Sequence, residues 1–109
     1  ENLVMFHLLR LCHWIEDIYG ERMELRYLRD TLGREVDAIV LRKGRPWIAV
    51  EVKSGERPLD ASLRYVLERV SVPWAFQVSL NSTRDVRLDN INGAVVRHVP
   101  AVKFLANLP

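Results

Sequence analysis

Residues 35–42 (EVDAIVLR) and 47–54 (WIAVEVKS) are two alternating runs separated only by the turn RKGRP. No other feature of the chain constrains its fold so strongly. Runs of period two read as strands, and a break this short, built on Gly44 and Pro46, forces them to pair antiparallel as a hairpin. The alternation also sorts the side chains. Glu35, Asp37 and Ile39 share one face of the first strand. Trp47, Ala49, Glu51 and Lys53 share one face of the second, with Ile48, Val50 and Val52 on the other. Carboxylates and a lysine therefore stand among apolar residues, where ionised groups are costly unless they are partnered.

The flanking sequence supplies the remaining elements. Residues 1–19 carry Met5, Leu8, Leu9, Cys12 and Ile15 at helical spacing and stop at Gly20. Residues 22–30 (RMELRYLRD) alternate as a half-buried strand, and the chain turns at Gly33. Leu59, Leu63, Val66, Leu67 and Val70 mark a second helix, with Pro58 suited to its first turn. PWAFQVSL reads as a buried strand. NSTRDVRLDNING is turn-rich with room for a brief strand, GAVVRHVP is a last strand, and AVKFLANL is a short terminal helix. The expected class is α/β (α+β). An αβββαβ core has its mixed central sheet flanked by helices, and a right-handed crossover through the second helix.

At 109 residues the chain fits one domain, 1–109, and it opens on Glu1 rather than Met, as a fragment of a longer protein would. A single cysteine, Cys12, excludes an internal disulfide framework and points to a reducing, cytoplasmic setting. No signal peptide is visible, and no apolar run of roughly eighteen residues offers a membrane span. The formal net charge of +2 is too small for a nucleic-acid binder by bulk charge. Even so, Arg22, Arg26, Arg29, Arg34, Arg42, Lys43 and Arg45 crowd one region, as solvated strand edges or as a phosphate-tracking surface. His7, His13 and His98 lack metal-ligand spacing and read as surface or helix-packing residues. Cys12 reads as a buried thiol.

On paired strands, same-face residues lie about 4.5–5.5 Å apart. Asp37, Glu51 and Lys53 can thus converge. Two carboxylates that close repel unless a cation joins them, and hard divalent ions favour carboxylate oxygen. Such a set suits metal-dependent phosphodiester hydrolysis. It equally suits an ordinary salt bridge at the sheet edge.

Asp37 and Glu51-Val52-Lys53, in this order of elements, resemble the PD-(D/E)XK nuclease superfamily. More narrowly, ENLV, GREVDAIV and IAVEVKSG resemble a domain of unassigned function at the C-terminal end of prokaryotic AAA-type ATPases. The resemblance covers almost the whole chain and is weakest in its last third. It implies a restriction-endonuclease-like core and Mg2+ (or Mn2+) held by Asp37, Glu51, the Val52 carbonyl and Glu1. It further implies Lys53 as the catalytic lysine, DNA as substrate in endodeoxyribonuclease chemistry, and the ATPase domain of the parent chain as partner. Glu35 takes a secondary place, either supporting the site or partnering an arginine, and Arg64 and Tyr65 match loosely a polar position of the second helix. No GxxxxGK[ST] is present, so no ATPase lies in these residues. A catalytically silent module that binds DNA or protein is the alternative. The apolar tail VPAVKFLANLP raises homo-oligomerisation as a third reading.

Overall fold

The computed structural model describes residues 2–55, 57–81 and 88–108. Helix α1 (Asn2–Tyr19) leads into three strands, β1 (Met23–Arg29), β2 (Glu35–Arg42) and β3 (Arg45–Lys53). Helix α2 (Ala61–Arg69) and strand β4 (Trp74–Ser79) follow. Strands β5 (Leu88–Ile91) and β6 (Ala94–Pro100) and helix α3 (Ala101–Ala106) complete the chain. The strands form one six-stranded sheet in the order β1-β2-β3-β4-β6-β5. β1–β2, β2–β3 and β5–β6 pair antiparallel, whereas β3–β4 and β4–β6 pair parallel. This is the expected α+β architecture with a mixed sheet and the helix–three-strand–helix–strand order.

Turn chemistry sets the two hairpins. Lys43 and Gly44 both have positive φ (54° and 77°), as do Asn92 and Gly93 (51° and 82°), so each pair makes a two-residue turn whose twist matches the strands. Between β1 and β2, Asp30 Oδ1 accepts hydrogen bonds from the amides of Leu32 and Arg34, both at 2.9 Å.

Each face of the sheet has its own core. Val4, Leu8, Leu11, Cys12 and Ile15 of α1 pack with Phe104 of α3 against Val40, Ile48, Val50, Val52 and Val78. On the opposite face Leu63, Val66 and Leu67 of α2 pack against Ile39, Ala49, Ala75 and Val96. The alternation in β2, β3 and β4 thus feeds both layers. No helix among the described residues is long and apolar enough to cross a membrane.

Four expectations change. Helix α2 begins at Ala61, so Pro58 lies ahead of it in the loop rather than in its first turn. Asp60 is a stronger helix start than Pro58 because its side chain accepts a bond from the Leu63 amide at 3.0 Å. Trp47 leaves the face of Glu51 and packs towards the α1 side. The cause is a bulge: Val40 pairs with Ile48 and Leu41 with Pro46, which leaves Trp47 as the extra residue. The apolar tail turns inward, burying Ala101 and Phe104 and leaving Val102 exposed. His98 is a sheet residue, buried on β6 with Nε2 3.5 Å from Asp89 Oδ2, rather than a surface or helix residue.

Candidate functional site

Ala38 pairs with Val50, so Asp37 stands across from Glu51 on the face covered by α2. Each acid is anchored to a backbone amide of the facing strand. Glu51 Oε1 accepts the Asp37 amide at 3.0 Å, and Asp37 Oδ2 accepts the Val52 amide at 2.9 Å. These bonds stand where a regular ladder would pair backbone with backbone, and they hold both side chains in fixed orientations.

Lys53 completes the group. Its ammonium lies 3.3 Å from Glu51 Oε2 and 2.6 Å from Asp60 Oδ1. The salt bridge expected among Asp37, Glu51 and Lys53 is therefore redistributed: Asp60, not Asp37, is the nearest acid to the lysine. Asp60 is placed by two elements. It caps α2, and its amide donates to Gln77 Oε1 on β4 at 2.8 Å. Gln77 is itself fully buried, and its Nε2 donates to the carbonyls of Arg57 and Pro58 at 3.3 and 3.0 Å. One amide side chain thus ties the loop before α2 to the centre of the sheet.

In register across the sheet, Glu51 is beside Gln77, and Gln77 is beside His98. A polar row runs from half-buried Asp37 on β2 through buried Glu51 and Gln77 to buried His98 on β6. No buried side-chain nitrogen or oxygen among the described residues lacks a hydrogen-bond partner.

Three carboxylates, Asp37, Glu51 and Asp60, share this small region with one ammonium. Burial pushes the Glu51 carboxyl up, and the neighbouring Asp37 and Asp60 add to the rise against the lowering by the Asp37 amide and Lys53. For Asp60, burial also works upward, but the bond from Lys53 and the Leu63 amide outweigh it and hold its carboxyl low. Burial would lower Lys53, yet Asp60 and Glu51 together raise it, so its side chain stays an ammonium at neutral pH. A lysine so held is a hydrogen-bond donor and a positive charge; it is not a base.

The donor chemistry fits a hard divalent ion. Two carboxylates on one face are a usual magnesium set when waters and phosphate oxygens complete the shell. The excess of negative charge around Glu51 is what such an ion would relieve. No group of three or more His, Cys, Asp or Glu side chains placed to hold a metal occurs among the described residues. Asp37 and Glu51 are the facing pair of carboxylates that could take one. The amide of Val52 is committed to Asp37, which puts its strand segment beside both acids. Glu1, expected in the metal set, lies outside the described residues. Glu35 pairs with Arg29 at 3.4 Å and serves an arginine rather than the site.

Asp60 and Gln77 are the site residues that sequence reasoning missed. Asp60 carried a signal, since an Asp ahead of an apolar helical run is an N-cap candidate. Gln77, inside PWAFQVSL, carried a weaker one: a lone amide in an otherwise apolar strand.

Fold and site together define an α+β domain whose mixed sheet carries a paired-carboxylate and lysine cluster on its α2 face. The chain belongs to the family described as a domain of unknown function, DUF4143, whose model matches residues 1–100. No curated protein and no solved structure matches the chain.

Proposed function

We propose that the domain hydrolyses DNA phosphodiester bonds with a divalent cation, as a nuclease-type accessory of a larger ATPase chain. The observation that supports this reading best is the reciprocal anchoring of Asp37 and Glu51 beside the Lys53 ammonium. Asp37 and Glu51 would hold magnesium or manganese. The bound ion supplies Lewis-acid polarisation of the phosphate and a more acidic water. Lys53 donates to a non-bridging phosphate oxygen or to the attacking water, and its charge offsets the negative charge that grows as the water oxygen bonds to phosphorus and the ester oxygen leaves. Asp60 positions Lys53 by their 2.6 Å contact. Gln77 holds the loop that carries Asp60.

The experiment is cleavage of plasmid and branched DNA with magnesium, with manganese and with chelator. Wild type cuts only with metal. Asp37→Asn and Lys53→Met each lose at least about a hundredfold, the scale of removing one transition-state contact. Cleavage by Asp37→Asn equal to wild type overturns the assignment.

A second reading is a silent module that keeps the fold for binding. The observation favouring it is that Lys53 is already paired to Asp60 and that both Glu51 oxygens have partners. Calorimetric titration with magnesium separates the two, since a silent site takes up no ion at millimolar concentration.

A further inference from the structure

Most of the cations crowded between residues 22 and 45 are neutralised locally. Arg22 and Arg26 both pair with Glu24. Arg29 pairs with Glu35, and Arg34 with Asp30 at 2.7 Å. Four cations against three acids leave a charge of only +1 (4 − 3) along β1 and the turn that follows it. The β2–β3 turn is different.

There Arg42, Lys43, Arg45, Pro46, Trp47 and Pro73 line an open groove of about 440 Å³, and no acid is among them. That volume lies within the roughly 300–1,000 Å³ of ligand sites. Glu21 binds the Arg42 guanidinium and lies 4.0 Å from Lys43 Nζ. Arg45 forms no ion pair among the described residues. Three cations against one acid leave a charge of +2 (3 − 1) around the groove. The Arg42 guanidinium sits over the Trp47 ring, 5.0 Å from its centre.

The turn itself has a further peculiarity. Lys43 occupies the left-handed region at φ 54°, where Asn or Gly is favoured and a lysine costs about 1–2 kcal/mol. The turn therefore carries an extra cation at a cost to stability. Outliers of this kind motivate a functional reading of the residue.

We propose that this groove binds a single strand of nucleic acid, with Lys43 and Arg45 on successive phosphates and a base against Trp47 and Arg42. An open, cation-lined groove with a stacked guanidinium and indole in its lining matches the way single strands are held through backbone charge and base stacking. The groove lies at the opposite end of β3 from Glu51. Six residues separate Arg45 from Glu51, or about 20 Å at strand rise. Binding here does not depend on the cleavage reading, because the two sites share no residue.

The test is fluorescence anisotropy with a labelled twenty-nucleotide oligo-dT, read across salt concentrations. Lys43→Asn removes a charge while giving the turn a residue that tolerates positive φ. Combined with Arg45→Gln, it is expected to weaken binding about tenfold and to flatten the log–log salt slope by about 1.4, two contacts at about 0.7 each for single strands. Thermal stability stays level or rises, so lost binding is not lost fold. Arg10→Gln, which removes a single charge from α1, leaves affinity within about twofold. Binding is read with chelator present, so its outcome stands apart from whether the domain cuts DNA. The proposal fails if the double variant binds like wild type, or if Arg10→Gln loses as much. It also fails if poly-glutamate displaces the oligonucleotide as well as unlabelled oligo-dT does, which would mark an acidic protein partner.

Discussion

Glu51 sits where burial and two neighbouring acids make ionisation unfavourable, and this has a measurable sign. A carboxyl raised in the folded state binds its proton more tightly there than in the unfolded chain. The folded state is therefore penalised once pH rises above the ordinary glutamate range, near 4.3, and relieved as pH falls. Glu51→Gln keeps an oxygen to accept the Asp37 amide and removes the charge. Its expected effect is a melting temperature at pH 7.5 above that of wild type, with burial and the two acids outweighing the lost contact to Lys53. The gap closes as the pH is lowered towards 4 and wild-type Glu51 gains its proton. Magnesium at about ten times its dissociation constant should return about 1.4 kcal/mol to wild type and nothing to the variant. Differential scanning fluorimetry across pH and magnesium reads both effects. A variant that melts below wild type at neutral pH contradicts the electrostatic account.

At the scale of elements, Asp60 joins helix to site. It caps α2 through the Leu63 amide and binds Lys53 through its other oxygen. Asp60→Ala removes a cap worth about 1 kcal/mol and a charge-assisted bond of about 1.5–3 kcal/mol, so urea unfolding at pH 7 should show a loss of about 2–4 kcal/mol. Asp60→Asn keeps the cap and should lose only the second part. Because the Asp60 carboxyl is held low, its contribution is complete above the ordinary aspartate value near 3.9 and falls away as pH drops through the folded value. The same element shows what sequence can and cannot reveal. Local patterns announced the hairpin, since Val36 to Val40 and Ile48 to Val52 alternate without interruption until the bulge at Trp47. Asn92-Gly93 is an equally plain turn signal, and it does close β5 onto β6. Asp37, Glu51 and Lys53 were legible because period two puts them on facing positions. The Lys53–Asp60 bridge was not. It depends on how the loop after β3 is held against the sheet, which involves Gln77, sixteen positions beyond the helix start (77 − 61). Burial of His98 depends likewise on β6 lying beside β4, a long-range pairing without a local trace.

For the molecule as a whole, two cores share one sheet. The radius of gyration of 13.3 Å matches the roughly 13 Å of a folded chain of about a hundred residues, so neither layer stands apart. β2, β3 and β4 supply side chains to both clusters. Unfolding either layer strips one face of the same strands. Leu8→Ala in the α1 layer and Leu67→Ala in the α2 layer should each cost about 2–5 kcal/mol, while unfolding remains one cooperative transition. Far-ultraviolet circular dichroism and tryptophan fluorescence should give coincident urea curves in both variants. A biphasic curve in Leu67→Ala alone would mean that the α2 layer comes away by itself.

The mutual anchoring of Asp37 and Glu51 also bears on how the chain chooses its strand alignment. Slide β2 against β3 by two positions and each acid keeps its inward direction but loses the amide that receives it. Each carboxylate then stands without its amide donor among apolar side chains, at a cost of several kcal/mol once it is buried. Hydrophobic side chains alone would tolerate such a slip, because valines and isoleucines recur at both alignments. The acids make the hairpin self-checking: a misaligned hairpin cannot be covered by the second helix without burying carboxylates that lack a donor.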